Sequence, residues 1–173
     1  MAGTIGVPGM SVTHIGTTDP ARLRRVFAAF PTGVTALAAE PEGFPVGMAA
    51  SSFTSVSLDP PLVSVCVAQT SRTWPALRLA TRIGVSVLAD GHAEASRQLS
   101  AKEGDRFGGS RWRRSDDRAL FLEGAAAWLD CSLEQEIPAG DHYIVLLRVH
   151  DLDIDANAEP LVFHRSAYRR LAS

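Results

Sequence analysis

Between residues 125 and 137 the chain alternates: Ala125, Ala127, Leu129, Cys131, Leu133 and Ile137 fall on one face of an extended backbone. Asp130, Ser132, Glu134 and Glu136 fall on the other, and a period of two predicts a half-exposed strand. Residues 62–68 are almost continuously apolar, with Val63, Val65 and Val67 opposite Leu62, Ser64 and Cys66, which predicts a short strand. Residues 142–154 begin apolar on both faces and alternate from Arg148 onward, a further strand. Residues 34–39 and 44–50, separated by Pro41-Glu42-Gly43, predict a hairpin, and residues 83–89 and 160–164 add two more strands.

Helical periodicity is rarer. After Asp19-Pro20, an N-cap with proline at the first helical position, Leu23, Val26, Phe27 and Phe30 stand at i, i+3, i+4 and i+7. They predict one amphipathic helix packed by its apolar stripe, ended by Pro31-Thr32-Gly33. Residues 74–80 predict a short helix capped by Thr70-Ser71-Arg72-Thr73, with Pro75 tolerated in its first turn, and residues 91–101 predict a third. Residues 1–18 show no periodicity and read as a flexible N-terminal arm, leaving one domain over 19–173. Many strands at short spacing, two or three helices and no repeated βαβ rhythm predict a mainly β protein built on an antiparallel barrel.

Composition narrows the function. A chain of 173 residues buries a core without staples, and a net charge of −2 with scattered arginines argues against a nucleic-acid partner. Cys66 and Cys131 lack Cys-x-x-Cys spacing and lie in apolar runs, so both are expected to be buried thiols in a reducing compartment. The chain carries no run of 18 apolar residues and no export pattern, which points to a cytoplasmic protein with no membrane partner. The histidines show no metal-binding spacing, so no metal is expected, and no Gly-x-Gly-x-x-Gly unit is present to hold a dinucleotide.

The stretch around which these elements are arranged is Gly47-Met-Ala-Ala-Ser-Ser-Phe-Thr-Ser-Val-Ser-Leu-Asp-Pro-Pro61. Small and hydroxylated residues in succession make poor core and poor helix, but they let backbone N–H groups approach a flat partner closely. On its own this composition also describes a polar turn between strands. Its order closely resembles the signature loop of the flavin reductase family, the small NAD(P)H:flavin oxidoreductases of two-component monooxygenases. Phe30-Pro31-Thr32-Gly33-Val34, Ser71-Arg72-Thr73, Asp105-Arg106-Phe107 and Ala139-Gly140-Asp141-His142 occur in the family's order as well.

The resemblance implies a split, Greek-key β-barrel that binds FMN or FAD at the interface of a homodimer. It implies that Thr32 and the segment Met48, Ala49, Ala50, Ser51 and Ser52 hold the flavin ring, the segment with backbone N–H groups. Ser71, Arg72 and Thr73 would hold phosphate, and Lys102, Arg106 and Phe107 would lie over the ribityl or phosphate end. His142 would sit where nicotinamide stacks. Hydride transfer needs no protein acid or base, so His142 is expected to position the reactants, and its loss to slow reduction more than it weakens flavin binding. NADH is the favoured donor, with NADPH the alternative, and reduced flavin would pass to a separate monooxygenase or halogenase. The alternatives are a non-catalytic flavin sensor or electron carrier on the same barrel, and an enzyme resembling pyridoxamine-phosphate oxidases.

Overall fold

The computed structural model describes residues 19–171, so the arm expected at 1–18 lies outside the described residues. Asp19 caps α1 (Pro20–Phe27), its carboxylate accepting the Ala21 N–H at 2.9 Å. The helix forms where its periodicity predicts, but its stripe is uncovered: Val26, Phe27 and Phe30 are 60%, 68% and 74% exposed. The expected packing is not made within the described chain.

Strands β1 (Thr32–Gly33), β2 (Thr35–Ala39), β3 (Val46–Ala50), β4 (Thr54–Leu58) and β5 (Pro61–Ala68) follow, with a cis peptide at Asp59–Pro60. Then come α2 (Trp74–Leu77), β6 (Ile83–Val87), α3 (Ala93–Ser100), β7 (Trp112–Arg114) and β8 (Leu120–Leu122). The long strands β9 (Ala127–Ala139) and β10 (His142–Ile154) precede the C-terminal hairpin of β11 (Val162–His164) and β12 (Ala167–Arg169).

Seven strands share one antiparallel sheet in the order β3-β2-β6-β9-β10-β5-β4. Laid flat, its two edges would stand about 29 Å apart at the usual interstrand spacing. Yet β3 and β4 are consecutive in the chain, and the four Cα steps from Ala50 to Thr54 reach about 14 Å at most. The sheet must therefore curl into a barrel left open between β3 and β4, the split that the fold class requires. Leu37, Val65, Val67, Val85, Cys131, Val145 and Leu147 fill its interior.

Two expectations about facing are corrected. Leu147 pairs with Leu133 but Leu146 pairs with Gln135, so Glu134 is an extra residue in β9. The bulge flips the strand's phase. Glu136, expected on the outer face, stands opposite buried Val145 and points inward, while Ile137, expected inside, faces out beside Ile144. Cys131 is buried as expected, and burial pushes its thiol up to about 12. Cys66, expected to be buried, is exposed, because it pairs with Ile144 on that outer face.

Candidate functional site

The split is where the polar stretch lies. β3 is an edge strand, so half of its backbone groups face away from β2 and have no partner strand. Among the described residues, the N–H groups of Ser51, Ser52 and Phe53 have no protein partner either. Two side chains fix this backbone from behind. Thr35 Oγ1 donates to the Ala50 carbonyl at 3.0 Å, and Ser52 Oγ accepts the Cys66 N–H at 2.8 Å while donating to the Cys66 carbonyl at 3.3 Å. The Ser52 hydroxyl is thus occupied in pinning the loop to β5.

Three hollows adjoin along this backbone. The first, about 500 Å³, is lined by Met48, Ala49, Thr70, Ser71, Arg72, Thr73, the end of α3, Lys102 and Arg106. The second, about 110 Å³, shares Ala49 and Ser100 with it and adds Ala50, Ser51, Ser96 and Tyr168. The third, about 560 Å³, shares Ser51 and Phe163 with the second and reaches Thr32, Ser52 and the exposed Phe27 and Phe30. They form one trough along residues 48–54.

The first hollow has three cationic side chains in its lining and no carboxylate. Arg106 organises it: one guanidinium nitrogen donates both to the Gly47 carbonyl, at 3.2 Å, and to Thr73 Oγ1, tying β3 to the segment before α2. Asp105 shapes the turn behind it, accepting the N–H groups of Phe107 and Gly108 at 2.9 and 3.0 Å. The turn sends Arg106 into the hollow and Phe107 into the body. Phe107 packs on Trp112, 4.9 Å between centroids, and so close beneath β3 that a Cβ on Gly47 would lie 2.9 Å from its ring. It supports the trough from below and is not among its lining residues.

α2 is a single turn, and its Trp74 N–H is already capped by Ser71 Oγ at 3.2 Å, so what this segment offers the hollow is side chains more than helix N–H groups. Glu136 anchors this turn. One carboxylate oxygen accepts the buried Trp74 Nε1–H at 2.6 Å and the other meets the Arg78 guanidinium at 2.5 Å.

His142 opens β10 opposite Ala68, two residues before Thr70, but lines none of the three hollows. Its Nδ1 lies 2.7 Å from Asp141 Oδ1. That bond, then the charges of His142 and, more weakly, Arg24, hold the Asp141 carboxyl below the usual carboxylate range. The sequence reading overlooked Ser96, Ser100 and Tyr168. Tyr168 donates to Ser96 Oγ at 2.8 Å, and the i, i+4 serine pair on α3 was the only local signal for them.

Residues 27–172 match the model of the flavin reductase like domain. The chain belongs to this family. It is 40% identical to a flavin reductase of Pseudomonas putida over 156 residues, 90% of this chain and 92% of the relative. It is 38% identical to HsaB, the reductase subunit of a flavin-dependent monooxygenase from Rhodococcus jostii, over 87% of this chain and 77% of that one. Among solved structures it is similar to the NADH:FAD oxidoreductase SgcE6 of Streptomyces globisporus, crystallised with NAD and FAD fragments. The TM-score is 0.87 at 35% identity, covering 93% of this chain and 98% of SgcE6. The split-barrel expectation holds.

Proposed function

We propose that this protein is an NADH-dependent flavin reductase that supplies reduced flavin to a separate monooxygenase or halogenase. The observation that carries the reading is the cationic, carboxylate-free first hollow, continuous with the free N–H groups at the split. Cations and hydroxyls without a carboxylate suit a phosphorylated flavin, and a small-residue backbone suits the flat ring beside it.

In this reading Arg72, Lys102, Arg106, Ser71 and Thr73 bind the phosphate. Met48, Ala49, Ala50 and Ser51 line the ring with backbone, and Thr32 and Ser52 bound its far end. The donors of this segment favour negative charge developing on the ring as it is reduced. Phe107 keeps β3 in place, and His142, oriented by Asp141, shapes the approach for nicotinamide. When bound, flavin supplies the hydride acceptor. The domain extends over 19–173, with 1–18 as an arm, and two unpaired cysteines fit a cytoplasmic location.

A homodimer belongs to the same proposal. The α1 stripe borders the third hollow, so a second copy covering Val26, Phe27 and Phe30 would also close the trough. Light scattering after size exclusion should give twice the chain mass.

The deciding experiment is steady-state oxidation of NADH and NADPH by flavin-stripped protein with added FMN, FAD or riboflavin. Saturable turnover with NADH and a phosphorylated flavin is expected. A tightly held flavin that neither nicotinamide reduces would replace the reductase by a sensor or carrier.

A further inference from the structure

A second cationic cleft lies outside the trough. It measures about 610 Å³ and is lined by Arg24, Arg25 and Arg165 with Ala21, Ala28 and Ala29, again without a carboxylate. Elsewhere Arg78, Arg97, Arg114 and Arg148 each hold a glutamate. Among the described residues none of the three in this cleft forms an ion pair within 4.0 Å. The preceding segment, residues 1–18, contains no Asp or Glu to neutralise them. Three like charges in one cleft, relieved only by the action of Asp141 on Arg24 beyond ion-pair distance, repel each other, and an anion relieves that repulsion.

The backbone brings them together against its own preference. Arg165 and Ser166 form the tip of the β11–β12 hairpin with φ of 50° and 60°, a left-handed conformation that glycine or asparagine ordinarily fills. The Arg165 N–H donates to the Ala28 carbonyl at 2.9 Å, docking the tip on the end of α1. Strain held in place by a specific contact is a mark of functional sites. The cleft shares Ala28 with the third hollow, and Arg24 acts electrostatically on Asp141 beside His142. Through Ala28 it adjoins the third hollow, which the second hollow separates from the flavin-phosphate one.

We propose that Arg24, Arg25 and Arg165 bind the diphosphate of the nicotinamide dinucleotide. The inference rests on the reductase reading and adds to it a dinucleotide site made without a Rossmann unit. The three alanines leave room for the adenosine sugar, and three guanidinium groups match two phosphate charges.

The test uses the full chain and Arg24→Gln, Arg165→Gln and their double variant. Arg169→Gln, an exposed arginine on β12 outside the cleft, is the control. ADP-ribose, which carries the diphosphate but no nicotinamide, is titrated calorimetrically, and KM is measured for NADH and for flavin. Expected are a weakening of ADP-ribose binding and a rise in KM for NADH of about tenfold in the double variant, with KM for flavin steady. Unchanged ADP-ribose binding overturns the proposal, as does a loss confined to FAD, which would assign the cleft to the flavin's own diphosphate. If the unaltered protein fails to oxidise NADH with any flavin, the reductase reading falls. The calorimetric arm still decides the cleft: arginine-dependent binding of ADP-ribose upholds it and no binding overturns it.

Discussion

Replacing Glu136 by alanine should damage the protein in a way that its place on a strand does not suggest. The side chain accepts a hydrogen bond from the indole of Trp74, which is 3% exposed, and pairs with half-exposed Arg78. Losing a charge-assisted bond and orphaning a buried N–H costs about 1.5–3 kcal/mol. The Arg78 pair adds about 0.2–1 kcal/mol. The sum, about 2–4 kcal/mol, corresponds to a fall in Tm of roughly 5–15 °C for a chain of this size. Glu136→Gln keeps a carbonyl for the indole and should lose only the smaller part. Because α2 follows Ser71, Arg72 and Thr73 directly, the alanine variant should also raise KM for flavin severalfold and change kcat less. Urea denaturation at fixed protein concentration and flavin-dependent NADH oxidation measure the two effects. Equal behaviour of the alanine and glutamine variants, or a stability loss below about 1 kcal/mol, would refute the anchoring argument.

Three further outcomes are expected. His142→Ala should slow flavin reduction in stopped-flow more than it weakens flavin binding, and a change in flavin affinity alone would place this histidine elsewhere. In the native protein a thiol reagent should titrate Cys66 and spare Cys131, whose thiol is pushed up to about 12, with the second equivalent appearing only on unfolding. Burial, partly offset by a bond to the Glu123 carbonyl and the charge of Asp90, lowers the pKa of His92, and its Nδ1 accepts the Ala89 N–H at 3.1 Å. The unfolded chain takes up this proton first, so the contribution is full above the ordinary histidine value of 6.5 and is lost as pH falls through the folded value. His92→Gln should flatten the fall of Tm over that window.

Local rules carried the reading a long way. The Asp19-Pro20 cap, the β2–β3 hairpin and the valine face of β5 were legible because each depends on neighbours within a few residues. The centre of the candidate site stood out for a different reason: a run of small polar residues is useless for packing, and the fold places it at the open seam. What escaped was set at long range. A bulge leaves the composition of β9 untouched, so strict alternation put Glu136 and Ile137 on the wrong faces. The hydroxyl of Ser52 reads as a free donor until Cys66 is brought beside it, and Phe107 as a ligand contact until Gly47 lies above it. The α1 stripe shows the opposite limit, since its period is clear while the surface that would cover it is not part of the described chain.

The hydrogen bond from Arg106 to Thr73 has a consequence for substrate choice. An arginine can only donate, so the threonine oxygen receives, and its own hydrogen must turn elsewhere. With Arg106 fixed, that hydrogen is free to turn toward the hollow that Thr73 lines. Three cations and no carboxylate give the walls a surplus of donors, so a guest rich in lone pairs finds more partners there than one that must also give hydrogens. Riboflavin would bring a neutral hydroxyl where its phosphorylated forms bring negative charge, so the three cations would favour the phosphorylated forms before any chemistry begins.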